Sequence, residues 1–249
     1  MLIPVNLGDM KHMSESAVDC FRKIASETEF CSMRLVQERA ESLVVRQNVL
    51  QPTVRSRDIG AMLTVLCGSG VGYCGTADLS QDGLKRALAR ATFWADLSAE
   101  RGVTDFSKVL FPEPQGNYQT TVKIPWKSVP LREKIQVLSG ENIRLKTNDR
   151  IVDWEAEISH TECDVVYATN RGGYCRQQFS YVVPALSATA NVGAESQTRT
   201  FGGRGVCRQG GFEVLEESGF YELAPVLSEE AVQLVYAPDC PTGVMEVLL

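Results

Sequence analysis

Strand-forming sequence runs almost without interruption from Ile151 to about Val206, and this stretch limits the possible folds more than any other feature. Segments such as WEAEISH, CDVVYATN and YCRQQFSYVV are rich in β-branched and aromatic residues, which favour strands. Asn170-Arg-Gly-Gly173 separates two of these segments, and Asn and Gly tolerate the positive φ angles of a hairpin turn. The stretch therefore predicts antiparallel strands joined by tight turns.

The part of the chain before this stretch mixes helix and strand signals. Ser14 to Ser26 has helical periodicity, and a second helix is predicted from the cap Asp78-Leu-Ser80 to about Glu100. Between them, the pattern predicts two strands within residues 31–50, a third at 58–67 and a fourth at 71–76. The order α-β-β-β-β-α is typical of an antiparallel meander sheet covered by two helices.

A proline-rich joint and a further helix precede the strand-rich stretch. Pro112 to Pro130 holds four prolines without a sustained period, and Leu131 to Lys146 is periodic like a helix. We therefore predict an α+β fold with three consecutive parts: an N-terminal domain (residues 1–115), a central strand-rich domain (116–226) and the start of a C-terminal domain (227–249).

The C-terminal part predicts a short helix that begins with Ser228 as its cap and ends before Pro241-Thr-Gly243. The sequence then finishes on an apolar segment, Val244 to Leu249, with no polar tail. An edge strand this apolar invites aggregation. We expect it to belong to a further domain that the 249 residues do not contain.

Charge and composition exclude several classes of protein. The 25 basic and 31 acidic residues give a net charge of −6, which disfavours a nucleic-acid binder. No run approaches the roughly 18 apolar residues of a membrane helix, and the N-terminus lacks the pattern of a secretory signal. The eight cysteines are scattered without a CxxC pair, so we expect reduced thiols in the cytoplasm. The alternative is one or two reactive thiols, with Cys67 and Cys74 as candidates because glycines surround both.

Gly70, Gly72 and Gly75 match the spacing of the GxGxxG dinucleotide-binding motif. In that motif the third glycine lies inside the helix that receives the pyrophosphate, whereas here the helix is predicted to begin only near Ser80. The favoured interpretation is a hairpin whose glycines permit close packing. A nucleotide-dependent enzyme remains the minor alternative.

Metal ligands are scarce, because His12 and His160 are the two histidines. His160 and Glu162 share a strand face, but Cys163 points the other way, and two ligands leave a zinc site incomplete. We therefore predict that His160 is a strand residue at a sheet surface. No HExxH motif is present in the sequence.

Other reactive groupings are equally incomplete. No GxSxG motif occurs, and the paired carboxylates Glu216-Glu217 and Glu229-Glu230 are expected on solvated faces. Arg199, Arg204 and Arg208 lie close together in sequence. They predict either an anion-binding loop or, preferably, an ordinary surface hairpin. Three further arginines are expected at the solvent face or turn of the first sheet, namely Arg46, Arg55 and Arg57.

The order of motifs resembles the TldD/PmbA family over most of residues 15–249. The matching segments in the N-terminal half are Ala40-Glu-Ser-Leu-Val-Val-Arg, the strand Arg57 to Leu66, and Gly70-Val-Gly-Tyr-Cys-Gly-Thr-Ala-Asp-Leu-Ser80 followed by the helix Asp82 to Ala99. Further on, Tyr167-Ala-Thr-Asn-Arg-Gly-Gly173 is similar to the family's N-S-x-G hairpin, although the arginine and the extra glycine depart from it. Ala231 to Leu249 resembles the entry into the family's C-terminal domain.

This resemblance implies a cytoplasmic zinc metallopeptidase that works as a homodimer or heterodimer and that also bears the family label of modulator of DNA gyrase. Family members carry their zinc on an HExxxH helix, which this sequence lacks together with the later cysteine ligand. No catalytic, cofactor-binding or metal residue is therefore assigned, and the chain is expected to be inactive as a peptidase by itself. Zinc is implied for the full-length protein, not for this chain.

Two hypotheses follow. In the first, the chain is the N-terminal portion of a TldD/PmbA-like metallopeptidase, with the zinc site beyond Leu249. It shapes the dimer and the path of unfolded or small peptide substrates, which add as a strand to a sheet edge. In the second, the chain is a stand-alone, non-catalytic peptide- or protein-binding module. Neither hypothesis involves nucleic acid or a membrane.

Overall fold

The computed structural model describes residues 7–111, 113–238, 242–244 and 246, with side chains from Ser14 onward except that of residue 107. Five helices and nine strands lie within these described residues. The helices are α1 (Leu7–Ile24), α2 (Gln81–Ala99), α3 (Leu131–Leu145), α4 (Val214–Glu217) and α5 (Leu223–Val235). The strands are β1 (Phe30–Arg46), β2 (Val49–Leu50), β3 (Val54–Cys67), β4 (Gly70–Thr76), β5 (Gln115–Gln119), β6 (Ile151–Thr169), β7 (Tyr174–Val192), β8 (Glu195–Gly202) and β9 (Arg208–Gln209).

This arrangement confirms the predicted α+β class. The pairs β1–β2, β3–β4, β7–β8 and β7–β9 are antiparallel. The pair β5–β7 is parallel, with Asn117 opposite Arg176 in the register. Because a parallel neighbour cannot be reached through a tight turn, β5 is not a continuation of the hairpins around it.

The chain divides into two compact units that are interleaved in sequence. The first unit contains residues 1–40, 55–121 and 161–180, and the second contains residues 41–54, 122–160 and 181–249. The long strands β1, β6 and β7 each contribute one part to each unit. The sequence analysis divided the chain into consecutive domains with boundaries near residues 115 and 226. That division remains a prediction.

The first unit has the strand order β4-β3-β1-β6-β7-β5. Helices α1 and α2 supply the apolar side chains that complete its core. The buried members include Phe21, Met33, Leu63, Leu84 and Ala91. Ser80 caps α2 as predicted, because its hydroxyl accepts a hydrogen bond from the Gly83 N–H at 3.1 Å.

The second unit packs α3, α4 and α5 with β8 and the remaining halves of the long strands. Its core includes Leu138, Ile158, Leu186, Leu215 and Phe220, all of them almost completely buried. The alternating burial along β7 from Val182 to Ala190 is the two-residue period of a strand with one face against a core.

Several sequence-based boundaries differ from the structure. Residues 30–46 form one strand rather than part of two, and the turn falls at Gln47 and Asn48, which both have positive φ. Residues 115–119, predicted to be irregular, form β5. Helix α5 begins at Leu223, so Ser228 is not its cap. The buried Ser228 hydroxyl instead donates to the Leu145 carbonyl oxygen at 2.7 Å.

The C-terminal expectations fall mostly on residues outside the described part. Pro241 and the segments 239–241, 245 and 247–249 are among these residues, so the predicted strand over 244–249 stays a prediction. Within the described residues, no helix is long and apolar enough to cross a membrane.

Candidate functional site

The last strand of the first unit's sheet, β5, exposes one edge and borders a polar pocket. All five residues of β5 are exposed. The Tyr174 N–H donates to the Pro114 carbonyl oxygen at 2.7 Å, and the Thr120 N–H donates to the Gln178 carbonyl oxygen at 2.9 Å. These even-numbered positions of β5 and its flanks therefore bond to β7.

In a parallel ladder the alternate residues turn their main-chain groups to the opposite side. Asn117 and Gln119 consequently direct their N–H and C=O groups away from β7. Within the described part of the chain, no further strand pairs with this side of β5. We call the outward main-chain groups of residues 115–119 the β5 edge.

The polar pocket lies beside the β5 edge and has a volume of about 490 Å³. Side chains from α1, β5 and β7 line it, and most of them carry amide, hydroxyl or charged groups. They are Glu15, Asn117, Tyr118, Gln119, Tyr174, Arg176 and Gln178. The register pairs Asn117 with Arg176 and Gln119 with Gln178, so these four side chains share one face of the sheet.

An ion pair fixes the base of this pocket. Arg176 donates two hydrogen bonds to Asp164, at 3.1 Å and 2.6 Å, and Gln178 donates to the same carboxylate at 3.3 Å. The hydrogen bond with Asp164 raises the pKa of Arg176. Such a bidentate pair holds the guanidinium in one orientation, so the pocket has a fixed polar floor.

The glycine motif serves packing instead of nucleotide binding. A Cβ at Gly70 would lie 1.9 Å from the Ala95 carbonyl oxygen, and a Cβ at Gly72 would lie 1.9 Å from that of Ala91. Both glycines are thus required for the close approach of α2 to β4. The helix begins at Gln81, beyond the motif, so the interpretation as a close-packed hairpin is confirmed.

The prediction that His160 lies at a sheet surface is wrong. His160 is buried, with 4% of its surface exposed, and its ring stacks on the Trp126 ring with the two ring centroids 4.7 Å apart. Trp126, from the short helical turn before α3, covers this face of β6. His12 lies in α1, among the residues whose side chains are outside the described part.

A buried charged cluster around Trp126 was missed by the sequence analysis. The indole N–H donates to Glu41 at 2.7 Å, and the Lys134 ammonium group donates to the same carboxylate oxygen at 3.2 Å. Lys134 Nζ also lies 3.9 Å from the centroid of the Trp126 ring. Glu41 precedes Trp126 by 85 residues and Lys134 by 93, so no local spacing signals the cluster. It joins β1 to α3 within the second unit.

Of the arginines after residue 198, Arg199 and Arg208 bind separate partners. Arg199 donates to Glu230 at 2.6 Å, and Arg208 donates to the Glu217 carbonyl oxygen at 3.3 Å. The predicted surface hairpin is thereby favoured over an anion-binding loop. Glu216, Glu217 and Glu229 are exposed, as predicted.

The solvent-face expectation for the other three arginines is confirmed, because Arg46, Arg55 and Arg57 are all exposed. Arg46 pairs with Asp153.

Cys67 and Cys74 were the candidates for a reactive thiol. Burial raises the pKa of the Cys67 thiol, and the neighbouring Asp96 carboxylate raises it further. Cys74 donates to the Gly75 carbonyl oxygen at 3.6 Å. A raised pKa lowers the fraction of reactive thiolate, so Cys67 is a poor nucleophile.

No metal site fits the described residues. They contain no group of three or more His, Cys, Asp and Glu side chains that could hold a metal ion, whereas a zinc site needs at least three protein ligands. The zinc implied by the resemblance therefore has no ligand set here. The geometry instead defines a class: an α+β protein with an exposed strand edge and a polar pocket beside it.

Comparison with known proteins finds similarity to the TldD/PmbA family. Residues 31–95 match the family model described as PmbA/TldA metallopeptidase domain 1. A relative named as a metalloprotease, from Methanothermobacter thermautotrophicus, is 23% identical over 228 residues, which are 90% of this chain and 47% of the relative. Both matches agree with the resemblance to the TldD/PmbA family that the order of motifs indicated.

Solved structures show the same fold. A protein from Thermotoga maritima, named as a candidate modulator of a DNA gyrase, superposes with a TM-score of 0.71 at 15% identity, over 92% of this chain and 50% of that one. TldE from Thermococcus kodakarensis gives 0.55 at 14% identity, over 90% and 47%. The chain thus spans about half the length of the relatives that it matches.

Proposed function

We propose that the chain is the peptide-binding, non-catalytic portion of a TldD/PmbA-type metallopeptidase. In this proposal it holds unfolded or small peptides in extended form, and a region outside these 249 residues supplies zinc and cleaves them. The similarity to the TldD/PmbA family and the matches to about half of each relative support it.

The β5 edge is the observation that carries the proposal. The main-chain groups of Asn117 and Gln119 face away from β7 and have no strand partner in the described part of the chain. An extended peptide can satisfy these groups by adding as a further strand, which requires little of its sequence. This mode suits an enzyme that must accept many unfolded substrates.

The adjacent pocket would add a modest preference. Its charged groups are Glu15 and Arg176, and Asp164 already neutralises the guanidinium. The amide side chains of Asn117, Gln119 and Gln178 can form hydrogen bonds with a polar substrate side chain. We therefore expect a polar residue to be preferred at one position of the bound peptide.

A proline substitution tests strand addition directly. Asn117→Pro removes one outward N–H without removing a hydrogen bond to β7, because Asn117 belongs to the outward set. Asn117→Ala is the matched control, since it removes the same side chain and keeps the N–H. We expect the proline variant to weaken binding of a labelled unstructured peptide, measured by fluorescence anisotropy, about tenfold more than the alanine variant. Equal affinities of the two variants would contradict strand addition.

The stand-alone binding module remains the second candidate, and the lack of a metal-binding group among the described residues favours it equally. Sequencing the gene beyond the codon for Leu249 separates the two candidates. An open reading frame that continues into an HExxxH helix supports the peptidase, and a stop codon at that point supports the module. Both candidates require the β5 edge, so the proline test bears on both.

A cytoplasmic location is part of the same proposal. The seven cysteines in the described residues are all free thiols, as expected in a reducing compartment.

A further inference from the structure

The face of β5 opposite Asn117 and Gln119 carries a half-exposed aromatic side chain. Successive side chains of a strand point to opposite faces, so Gly116 and Tyr118 lie on this second face. Although Tyr118 also borders the polar pocket, its ring contacts the Phe179 ring, with the two ring centroids 5.4 Å apart. The register with β7 places Phe179 on the same second face. Tyr118 is nevertheless 43% exposed, so part of this aromatic surface lies in water beside the β5 edge.

Gly116 leaves open space next to the aromatic pair. A Cβ at Gly116 would meet no described atom within 4 Å, and the residue itself is exposed. A glycine in an edge strand is a position that an aromatic side chain of a neighbouring strand can cover. The second face therefore combines a gap with an aromatic wall. We call Gly116, Tyr118 and Phe179 the β5 aromatic face.

Strand addition at the β5 edge brings a peptide side chain directly opposite Tyr118. The main-chain groups of Tyr118 point toward β7, because those of Asn117 and Gln119 point outward. In an antiparallel addition, such a residue forms a non-hydrogen-bonded pair, with Cα atoms about 4.5 Å apart and the side chains at their closest. The peptide residue two positions away lies opposite Gly116 on the same face. The residue between these two lies on the side of the polar pocket.

We propose that the chain selects extended peptides in which two large apolar residues flank one polar residue, with both apolar side chains on the β5 aromatic face. This inference rests on the proposed strand addition and names the class of peptide that it favours. An apolar side chain opposite Tyr118 removes the exposed part of that ring from water, and one opposite Gly116 fills the gap. The polar residue between them reaches the amide groups of Asn117 and Gln119.

The selected pattern is that of an amphipathic strand. A segment that alternates apolar and polar residues forms a strand with one buried face in a folded protein. Folding hides that face, and unfolding exposes it together with its main-chain groups. The β5 aromatic face would therefore recognise strand segments of unfolded proteins better than segments that are polar throughout.

Two labelled peptides of identical composition test this selection. In the first peptide, two phenylalanines flank one glutamine in a glycine and serine background. In the second peptide, the two phenylalanines are adjacent and the glutamine follows them. Adjacent side chains of a strand point to opposite faces, so the second peptide can place one phenylalanine on the β5 aromatic face and not both. We expect the first peptide to bind about fivefold more tightly in fluorescence anisotropy, because cross-strand aromatic pairs contribute free energy of this order.

Variants of Tyr118 connect the difference between the peptides to the β5 aromatic face. Tyr118→Ser should abolish the difference, whereas Tyr118→Phe keeps the ring and should retain it. Tyr73→Ser is the matched control, because Tyr73 is 67% exposed on β4, at the other end of the sheet order. This control should leave the difference unchanged. Circular dichroism of each variant verifies the fold, and the comparison of the two peptides on the unmodified chain requires no variant.

Equal affinity of the two peptides for the unmodified chain would overturn the proposal, and so would a difference that Tyr118→Ser leaves intact. Asn117→Pro separates this failure from that of the proposed function. If the peptides bind equally and Asn117→Pro weakens both, strand addition stands and the selection is refuted. If neither peptide binds, or if Asn117→Pro binds them as well as Asn117→Ala does, strand addition fails and the selection fails with it.

Discussion

Gly72 offers a sharp test of how α2 is held on the sheet. Gly72→Ala places a Cβ 1.9 Å from the Ala91 carbonyl oxygen and 2.4 Å from the Ala95 N–H nitrogen. Both atoms belong to the main chain of α2, so no side-chain rotation relieves the clash. To reach ordinary contact distance, the helix must move outward by about 1.5 Å, which loosens the buried alanines along its inner face. Overpacking costs about 1–3 kcal/mol, and we expect the upper end, about 3 kcal/mol.

Gly75→Ala is the control, because it changes the same residue type in the same strand. A Cβ at Gly75 meets nothing within 4 Å, and alanine restricts the unfolded chain more than glycine does. The free energy of unfolding of Gly75→Ala should equal or slightly exceed that of the unmodified chain. Urea unfolding followed by circular dichroism and by tryptophan fluorescence measures both variants. If Gly72→Ala stayed within about 1 kcal/mol of the unmodified chain, the packing argument would be refuted.

Four further substitutions probe buried polar groups of the second unit. Glu41→Gln and Lys134→Met should each lower the free energy of unfolding in urea by about 3–5 kcal/mol, because each change removes one member of a buried ion pair. The double variant should lose less than the sum of the two single losses. Additive losses would contradict the pairing. Burial alone raises the pKa of Glu213, but hydrogen bonds from three main-chain N–H groups outweigh it and lower that pKa. The ionised Glu213 carboxylate therefore stabilises the fold above pH 4.5, its ordinary pKa, and this stabilisation is lost as the pH falls through the lowered pKa. Glu213→Gln should consequently make the free energy of unfolding less dependent on pH on the acid side. An unchanged pH dependence would argue against this role. Ser228→Ala should cost about 1–2 kcal/mol, whereas the exposed Ser26→Ala should cost almost nothing; equal thermal shifts would show that the Ser228 hydroxyl is not the cause.

Local patterns were sufficient for much of the fold. The helix after Ser80 was predictable because a capping hydroxyl and apolar residues spaced three or four apart are both local features. The turn at Asn170 was predictable for the same reason, and Gly172 there has a φ of 105°. The packing role of Gly70 and Gly72 followed from the position of the motif relative to the helix.

Long-range contacts account for what the sequence analysis missed. Strand β5 contains Gln-Gly-Asn-Tyr-Gln, which has neither β-branched residues nor alternating burial, and it exists because β7 offers it a parallel partner. His160 is buried because Trp126, distant in sequence, stacks on it. Helix α5 begins at Leu223 because apolar packing outweighs the local capping preference of Ser228, whose hydroxyl bonds to α3.

The composition of β5 strengthens the case that its edge is a binding surface. Exposed edge strands are normally protected from pairing by charged side chains or by bulges, and β8, which is also exposed, contains Glu195 and the ion-paired Arg199. Strand β5 has no charged residue, and the polar pocket lies beside it. Strand β4, at the other end of the sheet, has glycine at three positions and offers few side chains for contact. Among these strands, β5 alone combines an uncharged edge with a lined pocket, as recognition of an extended peptide requires.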